Sequence, residues 1–280
     1  MKRVIACIDS SPCINALAEA AAWIATQTQR ELVLLQVLDY YPASYHLGEI
    51  SGVIGFESNA MLLKELAELE QKQSELALDY SNNLLHHISN MIQEKYEIVP
   101  TQIQEKGDFL EQSFSVLNED DIVVIGRVGE KSAERNKALG SNVENFIRGA
   151  NCTVMTVGEH FKAPTRFIFA YEYSPTCIKM MKRIAQSDLL KLLQCHLLYV
   201  GDHPEVLNEP ADFLTAAGLD VVVEYRYGDV AENILDYQRE HGIQLIVLGA
   251  FSHSKIHQFF LGSITTNIFR NSTVPLLVAK

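Results

Sequence analysis

Short, near-continuous apolar runs alternate with longer amphipathic stretches along the whole chain. Val4-Ile5-Ala6-Cys7-Ile8 comes first and is closed by Asp9-Ser10-Ser11-Pro12. Ala16, Ala20, Trp23 and Ile24 then recur at helical spacing. Leu32 to Leu38 and Ile122 to Gly126 are again almost wholly apolar. Unbroken runs of this kind suit strands covered on both faces, as in parallel sheets. Near residue 165 the series starts afresh. Phe167 to Tyr171 leads into Glu172-Tyr173-Ser174-Pro175, followed by Ile178, Met181, Ile184 and Ala185 at helical spacing. Leu197 to Asp202 repeats the second run, Gly228-Asp229 repeats Gly107-Asp108, and Leu245 to Gly249 repeats Ile122 to Gly126. GSNVENFIRGANCTVMTVG, from Gly140, and GSITTNIFRNSTVPLLVAK, from Gly262, close the two series.

Each series reads as nine alternating elements, five strands and four helices, which predicts an α/β fold of two tandem, open, mostly parallel, doubly wound five-stranded sheets. The units are expected at 1–158 and 165–280, with the break at Glu159 to Pro164. Serine before proline predicts an N-cap and first helical residue in both copies, because proline there forfeits no needed N–H. The copies differ in one place. Between its second and third strands the first carries a loop, Tyr40 to Ser58, and a long helix from about Ala60 to Glu94. Leu62, Leu66, Leu69, Leu76, Tyr80, Leu84, Ile88 and Met91 form a single stripe on that helix and predict a packed face. Pro204 to Leu219 stands there in the second copy.

At 280 residues the chain is long enough for two domains, and 48% hydrophobic content allows each a core. The net charge of −12 argues against a sequence-independent nucleic-acid binder, which needs a basic face. The apolar run after Lys2-Arg3 ends at Asp9, too short for a signal peptide, and no stretch has the roughly 20 apolar residues of a membrane span. Five cysteines, odd in number and without a CxxC pair, fit reduced, buried thiols and a cytoplasmic protein.

The chemistry to be expected lies at the strand ends. In the second series Gly249-Ala250-Phe251-Ser252 is followed by nine residues and Gly262-Ser263. In the first, Gly126-Arg127-Val128-Gly129 is followed by ten residues and Gly140-Ser141. Glycine lets a backbone approach a phosphate closely, and a helix opening at Gly-Ser offers unpaired N–H groups to an anion. Ser263 and Thr265 add hydroxyl donors. His253 and His257 lack a third ligand nearby and read as loop residues, and His86 and His87 as exposed on the long helix. No P-loop lysine, catalytic histidine or metal carboxylate pair accompanies either loop, so the protein is expected not to be an enzyme.

Together these features resemble a tandem universal stress protein, and the resemblance covers almost the whole chain. The family's nucleotide-binding members carry an acidic residue after the first strand and a Gly-two-residues-Gly-nine-residues-Gly-Ser/Thr loop after the fourth. The resemblance implies an adenine nucleotide of the ATP type as ligand, with magnesium accompanying it. Asp9 or Glu172 would lie near base or ribose, the backbone of Val37 or Val200 at the adenine edge, and the glycine loops at the phosphates. It also implies edge-to-edge pairing through Thr153 to Val157 and Val274 to Ala279, an intramolecular pseudo-dimer able to dimerise further. Ser252 replaces the family's middle glycine, the first loop is one residue longer than the family's, and Glu172 is a methylene longer than aspartate. The competing expectation is an interaction module of the same fold, with loops no longer fit for nucleotide, that binds a protein partner or an apolar small molecule.

Overall fold

In a computed structural model of the chain, residues 2–38, 56–128, 141–249 and 263–279 are described. The first half contributes β1 (Arg3–Cys7), α1 (Ile14–Thr28), β2 (Glu31–Leu38), α2 (Phe56–Tyr96), β3 (Thr101–Lys106), α3 (Phe109–Val116), β4 (Ile122–Gly126), α4 (Ser141–Gly149) and β5 (Thr153–Val157). The second contributes β6 (Arg166–Tyr171), α5 (Pro175–Gln186), β7 (Gln194–Val200), α6 (Asn208–Ala216), β8 (Val221–Arg226), α7 (Val230–Glu240), β9 (Leu245–Gly249), α8 (Ser263–Asn271) and β10 (Leu276–Ala279). The alternation predicted from the apolar runs is present in both.

All ten strands form one sheet, in the order β3-β2-β1-β4-β5-β10-β9-β6-β7-β8. Within each half the five strands are parallel. At the joint β5 and β10 are antiparallel, with Thr156, Met155 and Val154 opposite Leu276, Leu277 and Val278. The pairing expected between the two last strands thus closes within one chain, and the strands of the halves point opposite ways. Both faces are covered. One core holds α1, the last turns of α2, α5 and α6, and the other holds α4, α7 and α8 with α3 against it. Unbroken apolar strands such as Leu32 to Leu35 are buried because helices lie on both sides.

Local sequence sets the helix starts. Asp108 accepts hydrogen bonds from the amides of Leu110 and Glu111, and Asp229 from that of Glu232. The glycines just before them have φ of +140° and +105°, a region open mainly to glycine. Ser174 caps α5 by accepting from the Cys177 amide at 3.2 Å, with Pro175 as its first residue. Ser11 differs from expectation. The first helix begins only at Ile14, after Cys13, and Ser11 closes a turn through its carbonyl to the Ile14 amide instead of capping with its hydroxyl.

The long helix also departs from expectation. Leu84, Leu85, Ile88, Met91 and Ile92 pack on the core, and Ser81 donates to Gln36 on the sheet. Further up, Leu69, Leu76 and Tyr80 are 59%, 61% and 60% exposed, so the stripe is a packed face only in its C-terminal part. The helix runs 41 residues, about 60 Å, whereas β2 beneath it has eight residues. The helix is therefore far longer than the strand it packs on. Leu62 has no described side chain. His86 and His87 are exposed as expected. Among the described residues no helix is long and apolar enough to cross a membrane.

Candidate functional site

The residues singled out in the first half stand at the carboxyl ends of three adjacent strands. Asp9 follows β1, Val37 is near the end of β2, and Gly126 ends β4, with β1 paired to both neighbours. Glu172, Val200 and Gly249 occupy the same places after β6, in β7 and in β9. Carboxyl strand ends in open α/β sheets are where the chain reverses and ligands find room. Helices α4 and α8 open at Ser141 and Ser263, the second residue of each Gly-Ser pair, and Thr265 lies half-buried in the first turn of α8. Gly129, Gly140, Ser252 and Gly262 fall outside the described residues, as do His253 and His257.

The two acidic corners are built differently. Asp9 accepts from the Ser11 amide at 3.2 Å, tying the turn to itself. Among the described residues the Ser11 hydroxyl is buried with no hydrogen-bond partner. A Cβ added to Gly126 would lie 3.4 Å from that hydroxyl and 3.2 Å from Cβ of Cys13, so this glycine lets α1 approach the strand end. In the second half Glu172 is exposed and accepts from the Ser174 hydroxyl at 3.0 Å. Each acid thus presents a hydrogen-bond acceptor at a strand end, and each half begins a helix beside it. Burial pushes up the Cys13 and Cys177 thiols, so both are protonated at neutral pH and poorly suited to nucleophilic work. All five cysteines are free and buried, as the sequence suggests. Among the described residues no group of three or more His, Cys, Asp or Glu side chains could hold a metal ion.

Sequence reasoning missed Arg127, directly after Gly126. Its amide donates to the Val157 carbonyl at 2.7 Å, extending the pairing of β4 with β5. Its side chain crosses the joint, where Nη1 donates to the Ser272 carbonyl and Nη2 to the Val274 carbonyl at 2.6 Å. Burial brings the guanidinium down to about 10. The first half's strand-end loop is therefore fastened to the chain leading into β10. The signal available was asymmetry, since the second half has Ala250 in this place.

A second polar cluster lies under α7. His196 of β7 is buried, its Nδ1 2.8 Å from the Tyr237 hydroxyl and its Nε2 3.2 Å from Oε1 of Gln194. Tyr237 stacks on His241 with ring centroids 4.1 Å apart, and Arg226 lies over the Tyr237 ring, 4.8 Å from its centroid, while paired with Glu240. Burial, then His241 and Arg166, hold the His196 imidazole below its ordinary value, against a smaller upward pull from Asp220.

Comparison with known proteins gives a consistent placing. A model of the Universal stress protein family matches residues 1–158 and 202–280. The universal stress protein Slr1230 of Synechocystis is 30% identical over 288 aligned positions, covering all of both chains. The crystal structure of a universal stress protein from Archaeoglobus fulgidus superimposes with a TM-score of 0.70 at 20% identity, over 99% of this chain and 98% of that one. A structure from Pseudomonas aeruginosa does so at 0.60 and 13%, over 100% and 93%.

Proposed function

The chain belongs to the universal stress protein family, and from that premise we propose that it is a stress-resistance factor that binds an adenine nucleotide of the ATP type. The reading assigns the nucleotide to the carboxyl strand ends of at least the second half. One observation carries it. In each half an acidic corner, a glycine strand end on the neighbouring strand and a helix opening at the serine of Gly-Ser belong to the carboxyl ends of that half's strands. A helix opening there aims amide groups at a phosphate, and Glu172 offers a carboxylate to ribose hydroxyls. Gly249, Gly262, Ser263 and Thr265, with Ser252, would hold the phosphates, and the Val200 backbone the adenine edge. The first half offers the same set in Asp9, Val37, Gly126, Gly129, Gly140 and Ser141, and its unpartnered Ser11 hydroxyl fits a polar ligand beside Gly126. Magnesium accompanying the nucleotide would be held through its phosphates. The protein acts by binding, in the cytoplasm, without catalysing a reaction.

Mass spectrometry of a denatured extract of the purified protein, and calorimetry with millimolar ATP, test this. Bound nucleotide or a saturable heat is expected, and Gly262→Asp abolishes it by placing bulk and negative charge at the phosphates. Absence of both signals in the wild type sinks the reading. The exposed Leu69, Leu76 and Tyr80 of α2 favour a second reading, an interaction module whose long helix meets a protein partner. Unchanged calorimetry with ATP alongside capture of a partner that truncation of α2 removes would select it.

A further inference from the structure

Helix α8 runs from one candidate site to the other. It opens at Ser263, at the carboxyl strand ends of the second half, and continues for nine residues, about 13 Å, to Asn271. The strands of the two halves point opposite ways, so its far end arrives beside the carboxyl strand ends of the first half. There the amide of Ser272 donates to the Ile268 carbonyl at 2.9 Å and closes the last turn. The Ser272 carbonyl is one of the acceptors that a helix end leaves without an N–H of its own.

Arg127 meets that end from the first half, where it directly follows Gly126. Its Nη1 donates to the Ser272 carbonyl and its Nη2 to the Val274 carbonyl at 2.6 Å. The two bonds span the turn between α8 and β10. Buried Ile268 and Phe269 set the distance of α8 from the sheet, and the guanidinium sets where the helix stands along its own axis. Arg127 is 7% exposed, and among the described residues no carboxylate is paired with it. Its charge faces the carbonyl end of α8, the end of a helix that a cation favours.

The repeat supplies an internal control. Helix α4 holds the same place in the first half, with Ala150 and Cys152 standing where α8 is followed by Ser272 and Val274. The residue that would hold α4 from the second half is Ala250, whose side chain has no donor. One end of the seam therefore closes without a guanidinium. Joining the halves is not reason enough for Arg127 at the other end, and what it adds belongs to α8 alone.

We propose, resting on the nucleotide reading above, that Arg127 of the first half is a positioning residue for the phosphates held by the second. A helix is stiff along its axis, so a displacement at Asn271 reappears at Ser263, where amide groups aim at the anion. The coupling is reciprocal, and phosphate at Ser263 also favours the seated guanidinium. The strand end of the first half thus regulates the affinity of the second half's site without touching its ligand. No such control runs the other way, to the first half's site through α4.

Calorimetric titrations of ATP and of adenosine into the full-length wild type, Arg127→Met and Arg127→Lys test this. Arg127→Met should weaken ATP about five- to tenfold, the lower end of ordinary coupling between sites. Adenosine should bind all three proteins alike, because only phosphates meet the opening of α8. Arg127→Lys keeps the charge and one donor and should recover part of the loss. If Arg127→Met does not fold, Arg127→Lys carries the same comparison, with ATP weakened about twofold or more and adenosine unchanged. A general loosening of the joint would weaken both ligands equally, and that result overturns the proposal. So does an unchanged ATP affinity, which would make Arg127 a fastening of the joint and nothing more. A wild type that takes up no ATP differs from both outcomes, since it removes the nucleotide reading itself and this role with it.

Discussion

At the scale of single residues, the buried cations and imidazoles carry the clearest consequences. Arg127 holds two backbone carbonyls across the joint, and without it the Ser272 carbonyl loses its donor while that of Val274 keeps only the Ser272 hydroxyl. Arg127→Met should therefore destabilise the protein by about 1–3 kcal/mol, read from urea unfolding. His196 gives a pH dependence whose sign follows from its lowered value. The unfolded chain binds a proton near pH 6.5 while the folded one resists it, so the neutral imidazole's contribution is complete above that pH and is lost below it. His241, Arg166, Gln194, Asp220 and Tyr237 face the ring, and His241 and Arg166 oppose a further positive charge. Unfolding midpoints should fall from pH 7 to pH 5 with a share of at most about 1.4 kcal/mol per pH unit from this group, and His196→Gln should fall less steeply. Of these residues the sequence made the two Gly-Asp caps and the strand-end acids legible, because each works through neighbours a few positions away. Arg127 and His196 were not legible, because their partners lie 145 and 41 residues distant.

At the scale of elements, periodicity located every strand and helix that the apolar runs suggested. It could not say which part of a helical stripe meets a partner surface. In α2 Ile88 is fully buried while Leu69 and Leu76 are not, although all three belong to the same stripe. Ile88→Ala should cost about 2–4 kcal/mol, and the pair Leu69→Gln and Leu76→Gln less than about 0.5 kcal/mol each, compared in the same urea series. Equal losses would show that the upper helix is packed in solution. The Ser-Pro rule held in α5 and failed in α1 for a steric reason. The first turn is drawn against Gly126, which leaves the Ser11 hydroxyl beside the strand end instead of over the helix amides.

At the scale of the whole molecule, the stability of the two halves meets at β5 and β10. Leu277 is 3% exposed and lies opposite Met155, so Leu277→Asp puts an uncompensated carboxylate into the joint. A loss of more than about 3 kcal/mol is expected, with one urea transition separating into two as the halves lose their shared strand pair. A single transition with an unchanged midpoint would show the joint to be dispensable. The two-copy architecture was readable from repetition alone. That antiparallel joint has a consequence for inheritance. In a dimer of identical subunits any change in one loop is made in both, so neither can be altered without its twin. Here the two ends are written in separate stretches of a single gene, which leaves Ser252, Glu172 and the lengthened first loop free to have diverged while the seam between the halves stays whole.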